Sequence, residues 1–101
     1  MEELFKGTKD DGAIIKGKVI VGEETIIKSG AKIIGPVIIG KRCVIERGTT
    51  IGKNTSVGDD CNLRCVISNS IIMSNCTIDS KLNIKNSIIA PNSKIIQKSD
   101  N

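Results

Sequence analysis

Aliphatic residues recur at every sixth position over the first two-thirds of the chain. Neither regular element has this period, because an α-helix repeats every 3.6 residues and a β-strand every two. A small or apolar residue also stands four positions after each member of the series. This pattern predicts a parallel β-helix, in which short strands joined by tight turns wind around one elongated core. The series consists of Ile15, Val21, Ile27, Ile33, Ile39, Ile45, Ile51, Val57 and Leu63.

Three six-residue units would close one triangular coil, and the neighbours that this creates, at i and i+18, are chemically favourable. Gly22, Gly40 and Gly58 align, as expected if one corner needs a backbone geometry that glycine adopts at little cost. Three columns of charged residues also alternate in sign from coil to coil, and such cross-strand pairs favour one register. These charge ladders are Glu23, Lys41 and Asp59; Glu24, Arg42 and Asp60; and Lys28, Glu46 and Arg64.

The repeat becomes irregular after the first series ends. The segments NSIIM and NSIIA begin at Asn69 and Asn86, one position closer than a full coil would place them, so one coil is expected to be a residue short. We predict an all-β, single-stranded parallel β-helix of about four and a half triangular coils over residues 14–96. Residues 1–13 are expected to be a tail or linker, and residues 97–101 a polar tail. The expected inward residues of this upper part are Val66, Ile72, Ile78, Ile84, Ile89 and Ile95.

Some of the residues expected to face outward are apolar. The residue before each inward aliphatic should face solvent, because side chains alternate along a strand. Ile20 and Ile38 would stack on one face, and Ile26 and Val44 on the next. Strand propensity alone is one explanation, but stacked aliphatics on adjoining faces are typical of a buried interface. We therefore predict self-association through these four residues.

The composition narrows the possible functions. The net charge is +4, yet the lysines are dispersed and Phe5 is the single aromatic residue, so no nucleic-acid surface is indicated. No apolar run approaches the roughly 20 residues that span a membrane, and the first residues do not resemble a signal peptide. A cytoplasmic location is expected.

Candidate catalytic and metal-binding residues are scarce. The chain has no histidine, which is the commonest general base and a frequent zinc ligand. Cys43 and Cys61 occupy the small inward position of the repeat, and no C-x-x-C pair involves them, Cys65 or Cys76. Free cysteine commonly behaves as a small buried apolar residue. We predict no catalytic residue, no metal site and no cofactor in this chain.

The segment VIIGKRCVIERGTTIGKNTSVGDDCNL resembles the left-handed parallel β-helix of the hexapeptide-repeat superfamily. The order of GPVIIG, SVGDD and the paired NSII segments is similar to the C-terminal domain of sugar-1-phosphate nucleotidylyltransferases, especially glucose-1-phosphate thymidylyltransferase-like proteins, over residues 14–96. This resemblance implies a left-handed coil. It also implies a homo-oligomer, with a trimer favoured, that docks against a preceding catalytic domain in nucleotide-sugar biosynthesis.

The resemblance also implies that the chain is a fragment or a truncated relative, because the glycine-rich nucleotide-binding segment of the catalytic domain does not occur in this sequence. Two alternatives stay open. The first is an acyl-CoA-dependent sugar acetyltransferase, although the histidine base used by such relatives has no counterpart here. The second is a module that senses a sugar phosphate or nucleotide without turnover.

Overall fold

The computed structural model describes residues 4–97, and within this range the chain forms β-strands and no helix. The all-β prediction is confirmed, and no helix of these residues could cross a membrane. The strands are β1 (Thr8–Lys9), β2 (Ile14–Lys16), β3 (Val19–Val21), β4 (Ile26–Ile27), β5 (Lys32–Ile34), β6 (Val37–Ile39), β7 (Val44–Ile45), β8 (Thr50–Ile51), β9 (Thr55–Val57), β10 (Asn62–Ser68), β11 (Ile71–Ile72), β12 (Thr77–Lys85), β13 (Ile88–Ile89) and β14 (Lys94–Ile96).

The strands stack in parallel as a β-helix of about five turns. One sheet contains β3, β6, β9, β11 and β13, and every neighbouring pair in it is parallel. The other sheet contains the remaining strands and covers two faces of the solenoid. These two faces meet at β10, which pairs with β7 at its start and with β8 at its end.

The core is a stack of inward aliphatic side chains, as the six-residue period predicts. Ile33 pairs with Ile15 below and Ile51 above, which confirms the coil of three six-residue units in the lower part of the molecule. Ile33 and Ile51 are fully buried. Burial of each such side chain contributes about 1.5–3 kcal/mol, so the stack is the main source of stability.

The upper coils are shorter than the sequence analysis indicated. Ile51 pairs with Ile67 and Leu63 with Ile78, which lie two and three positions closer than a regular coil would place them. The prediction that Val66 points inward is wrong, because Val66 is 37% exposed whereas Ile67 is 1% exposed. The cause lies in β10, which runs straight through a position where the lower coils turn, so the inward residues Leu63 and Ile67 are four positions apart rather than six.

Corner turns follow a rule that the six-residue pattern did not reveal. At most corners the residue immediately before a small inward residue has a positive φ, a conformation that glycine and asparagine adopt most readily. Arg42 (φ 55°) before Cys43 and Asn54 (φ 63°) before Thr55 are examples. Among residues 4–97, the non-glycine residues with a positive φ are Glu24, Arg42, Asn54, Asp60, Asn69, Asn75, Asn86 and Asn92, and the glycines with a positive φ are Gly12, Gly17, Gly30 and Gly48.

The column of Gly22, Gly40 and Gly58 has a different origin from the expected one. None of the three has a positive φ. A Cβ atom on Gly22 would instead lie 2.6 Å from the carbonyl carbon of Gly40 and 2.9 Å from the amide nitrogen of Lys41. Glycine recurs here because successive coils approach too closely for any side chain.

The β-helix begins before residue 14. Strand β1 pairs with β4 through Thr8 and Ile26, and Phe5 forms a β-bridge with Val21. Phe5 is partly buried against the core. Part of the expected tail therefore covers the lower end of the core. At the other end, the amide of Gln97 donates a 2.8 Å hydrogen bond to the carbonyl of Asp79, and residues 98–101 lie outside the described residues.

Candidate functional site

The longest outward apolar feature lies on the sheet that contains β3, β6, β9, β11 and β13. Ile20 and Ile38 are register partners, as are Ile71 and Ile88, and Ser56 stands between the two pairs. Ile38, Ile71 and Ile88 are 52%, 46% and 72% exposed. We call Ile20, Ile38, Ile71 and Ile88 the isoleucine stripe. With strands about 4.8 Å apart, it extends for about 19 Å along the solenoid.

Two members of the stripe were missed by the sequence analysis. Ile71 and Ile88 do not follow Ile38 at whole multiples of the regular coil length, so a fixed period does not place them in its column. The repeated NSII segment was the available signal, because the first isoleucine of each copy faces outward and the second faces the core.

The other two predicted interface residues face a different direction. Ile26 and Val44 are register partners on β4 and β7, in the larger sheet. Ile26 is 40% exposed, and Val44 is half-buried. Polar residues continue this column upward, namely Asn62 and Thr77. The structure thus separates the predicted interface into a long stripe and a shorter pair.

A shallow groove of about 350 Å³ runs beside the lower half of the stripe. Its walls include Ile20, Ile38, Pro36 and Asn54, with Lys18 at the edge. Most of the wall is aliphatic, and the corner at Pro36 bounds it. The groove widens the apolar surface that the stripe presents.

The charge ladders form ion pairs at two places among the described residues. Lys28 Nζ lies 3.1 Å from Glu46 Oε1, and Arg42 Nε lies 2.7 Å from Asp60 Oδ1. A second hydrogen bond of 3.1 Å from Arg42 Nη2 to Asp60 Oδ2 makes that pair bidentate. These contacts join residues at equivalent positions in successive coils, and exposed pairs of this kind contribute about 1 kcal/mol or less.

The remaining ladder members make weaker contacts or none. Asp59 accepts a 2.8 Å hydrogen bond from the backbone amide of Lys41, not from its ammonium group. Within residues 4–97, Glu23, Glu24 and Arg64 take part in no ion pair. Alternation of sign in sequence therefore brings opposite charges to neighbouring positions without always closing a salt bridge.

Glu46 contacts side chains of the coils below and above it, namely Lys28 and Asn62. Partial burial opposes its ionisation, but hydrogen bonds from Lys28 and from Asn62 Nδ2 (3.0 Å) outweigh that effect. The pKa of Glu46 is therefore lowered. Likewise, the hydrogen bond from Arg42 lowers the pKa of Asp60. Both carboxylates stabilise the register in their ionised form.

The four cysteines are free thiols inside the core. Cys43 donates a 3.0 Å hydrogen bond to the carbonyl of Gly58, and Cys76 donates one of 3.2 Å to the carbonyl of Ala90. Burial raises the pKa of Cys65 to about 11. The described residues contain no group of three acidic, cysteine or histidine side chains that could hold a metal ion.

Comparison with known families identifies the domain. Residues 33–100 match the family model of the GMPPB C-terminal domain, which accounts for more than half of the chain. The chain belongs to this family. As a GMPPB C-terminal domain it is a nucleotidylyltransferase β-helix domain, and the predicted left-handed β-helix is confirmed.

Two solved structures are similar to this GMPPB C-terminal domain. The acetyltransferase domain of PglB from Neisseria gonorrhoeae FA1090, in complex with acetyl coenzyme A, is 16% identical over 80% of this chain and 49% of its own, with a TM-score of 0.33. The native serine acetyltransferase 1 from Entamoeba histolytica is 23% identical over 86% of this chain and 37% of its own, with a TM-score of 0.38. The chain spans less than half of either protein. The search of curated proteins found no match.

Proposed function

We propose that this domain assembles subunits of a sugar-1-phosphate nucleotidylyltransferase and docks against the catalytic domain. The isoleucine stripe is the observation that carries the proposal. Single exposed aliphatics are ordinary on a protein surface. Two stacked pairs in one column, separated by Ser56 and with a groove of mostly aliphatic walls beside the lower pair, form an apolar surface of the kind that interfaces cover. The family to which the chain belongs supports the link to nucleotide-sugar biosynthesis.

The partner of the stripe is a second copy of this chain. The stripe follows one column of the sheet, carries no charge and is interrupted only by the small residue Ser56, so an identical stripe is a complementary surface for it. Closed symmetry is usual for such homo-oligomers. Three copies side by side, with their solenoid axes parallel, would bury all the stripes around one axis, and this arrangement is favoured because the resemblance to the hexapeptide-repeat superfamily implies a trimer. In this arrangement the pair Ile26 and Val44 lies outside the interface between copies, and we assign it to contact with the catalytic domain.

Light scattering after size-exclusion chromatography tests the assembly role. The wild-type chain is expected to elute as an oligomer, and the double variant Ile38→Asp/Ile71→Asp as a monomer, because each buried aspartate would lose its hydration. Ile14→Asp is the matched control, since Ile14 is 46% exposed and lies on β2 in the other sheet. A monomeric wild type, or an unchanged mass for the double variant, would contradict the proposal.

The variant Val44→Asp tests whether the isoleucine stripe and the pair Ile26 and Val44 have different roles. It should leave the mass of the oligomer unchanged and weaken binding of a nucleotidylyltransferase catalytic domain added in trans. If Val44→Asp dissociates the oligomer while Ile38→Asp/Ile71→Asp does not, the assignment of the two faces is reversed and the stripe loses its role in self-association.

A further inference from the structure

A notch opens in the solenoid at the corner where β10 runs straight. In the lower coils, Gly12, Gly30 and Gly48 form a column of turns linked by hydrogen bonds from Gly30 N to Gly12 O and from Gly48 N to Gly30 O. The next coil has no turn there. A Cβ atom on Gly48 would meet nothing within 4 Å, so the column ends at an open space of about 400 Å³.

Three cationic side chains line this notch, which we call the corner groove. Arg47, Arg64 and Lys81 contribute to its walls, with Asp79 as the single acidic residue. All three cations are exposed, and none forms an ion pair within residues 4–97. Lys28 and Arg42 of the charge ladders pair with carboxylates. The corner groove instead has three cationic side chains and one acidic side chain.

Two of the cations are positioned by the fold. The side chain of Arg47 lies over Gly30, whose missing Cβ would come within 2.9 Å of Arg47 Cγ. Lys81 lies in an irregular part of β12, where the pairing with β10 shifts after Arg64. Gln97 Oε1 fixes that segment by accepting a 2.8 Å hydrogen bond from the amide of Lys81. β-Bulges commonly redirect a side chain toward a site.

We propose that the corner groove binds the phosphate group of a small phosphorylated ligand. Arginine guanidinium groups match phosphate oxygens in charge and geometry. Arg47, Arg64 and Lys81 border the same open space, and none of them forms an ion pair among residues 4–97. Asp79 and the carbonyl of Gly48, which ends its column, offer acceptors for hydroxyl groups beside the phosphate. The ligand chemistry is therefore that of a sugar phosphate or a nucleotide, and it does not depend on self-association.

Binding is tested by calorimetry and by amide chemical shifts of the full chain at low ionic strength, with four separate probes. Inorganic phosphate, a hexose 1-phosphate and guanosine monophosphate each carry the group, and unphosphorylated hexose is the negative probe. At least one phosphorylated probe should bind and shift the amides of Gly48, Arg64 and Lys81, while the hexose should not. Tighter binding of the hexose 1-phosphate or of the nucleotide than of inorganic phosphate would identify which source the groove prefers.

Matched variants separate the groove from general charge attraction. Arg47→Gln/Arg64→Gln should weaken binding at least about tenfold, since each arginine supplies charge-assisted hydrogen bonds. Lys41→Gln/Lys53→Gln removes the same charge from other corners and should change affinity less than about twofold. Lys81→Gln should weaken binding without altering the circular dichroism spectrum. Equal losses in both double variants, or no binding of any phosphorylated probe at millimolar concentration, would overturn the proposal.

Discussion

The close approach of stacked coils at Gly22 leads to a quantitative prediction for Gly22→Ala. The added Cβ would lie 2.6 Å from the carbonyl carbon of Gly40, whereas carbon atoms pack at about 3.5 Å or more. The two coils would therefore have to separate by about 0.9 Å at this corner to restore that contact distance. Two backbone hydrogen bonds cross the same gap, from Gly22 N to Ile39 O and from Arg42 N to Glu23 O, both 2.9 Å long.

Such a separation would take both bonds beyond ordinary hydrogen-bond length. Overpacking costs about 1–3 kcal/mol, and each weakened hydrogen bond adds about 0.5–1.5 kcal/mol. Some of this strain can relax, because only one short coil lies below Gly22. We expect Gly22→Ala to lower the free energy of unfolding by about 2–4 kcal/mol, which for a domain of this size lowers Tm by roughly 10–25 °C.

Urea denaturation followed by far-ultraviolet circular dichroism measures this loss. Gly48→Asn is the control, because its Cβ site is open and asparagine adopts a positive φ readily. The φ of 86° at Gly48 still strains a side chain, so Gly48→Asn is expected to lower the free energy of unfolding by about 1 kcal/mol. If Gly22→Ala lowers the free energy of unfolding no more than Gly48→Asn does, close stacking of the coils is not the reason that glycine recurs in this column.

Three further predictions concern single side chains. Thr55 Oγ1 is buried without a hydrogen-bond partner in the described structure, so Thr55→Val should raise the free energy of unfolding by about 1 kcal/mol; a decrease in urea midpoint would contradict this. Ile33→Ala should lower the free energy of unfolding by about 2–5 kcal/mol because Ile33 is fully buried. Ile14→Ala should change it only slightly, because Ile14 is 46% exposed. Glu46 has a lowered pKa in the folded state, so its stabilising effect is complete above the ordinary glutamate pKa and is lost as pH falls below it. Glu46→Gln should reduce the acid dependence of Tm, and an unchanged pH profile would show that the ladder contact is not formed.

The candidate site was only partly accessible to sequence reasoning. Ile20 and Ile38 were found because they occupy equivalent positions in regular coils of equal length. Ile71 and Ile88 were missed because coil length changes in the upper part of the solenoid. The corner groove was missed although Arg47, Arg64 and Lys81 lie 17 residues apart, because a coil of 18 residues does not place them in one column. They line one space only where a turn is missing.

The sequence by itself determined the repeating unit, the inward residues of the lower coils and the nature of the core. A strand exposes alternate side chains to opposite faces, so a regular apolar period fixes which residues are buried as long as every coil has the same length. Tertiary structure alone decided by how much the upper coils shorten, which outward residues of those coils join the columns of the lower ones and why glycine recurs at one corner. Those properties depend on contacts between residues in successive coils, and the straight path of β10 changes the sequence separation of such contacts in the coils that follow it.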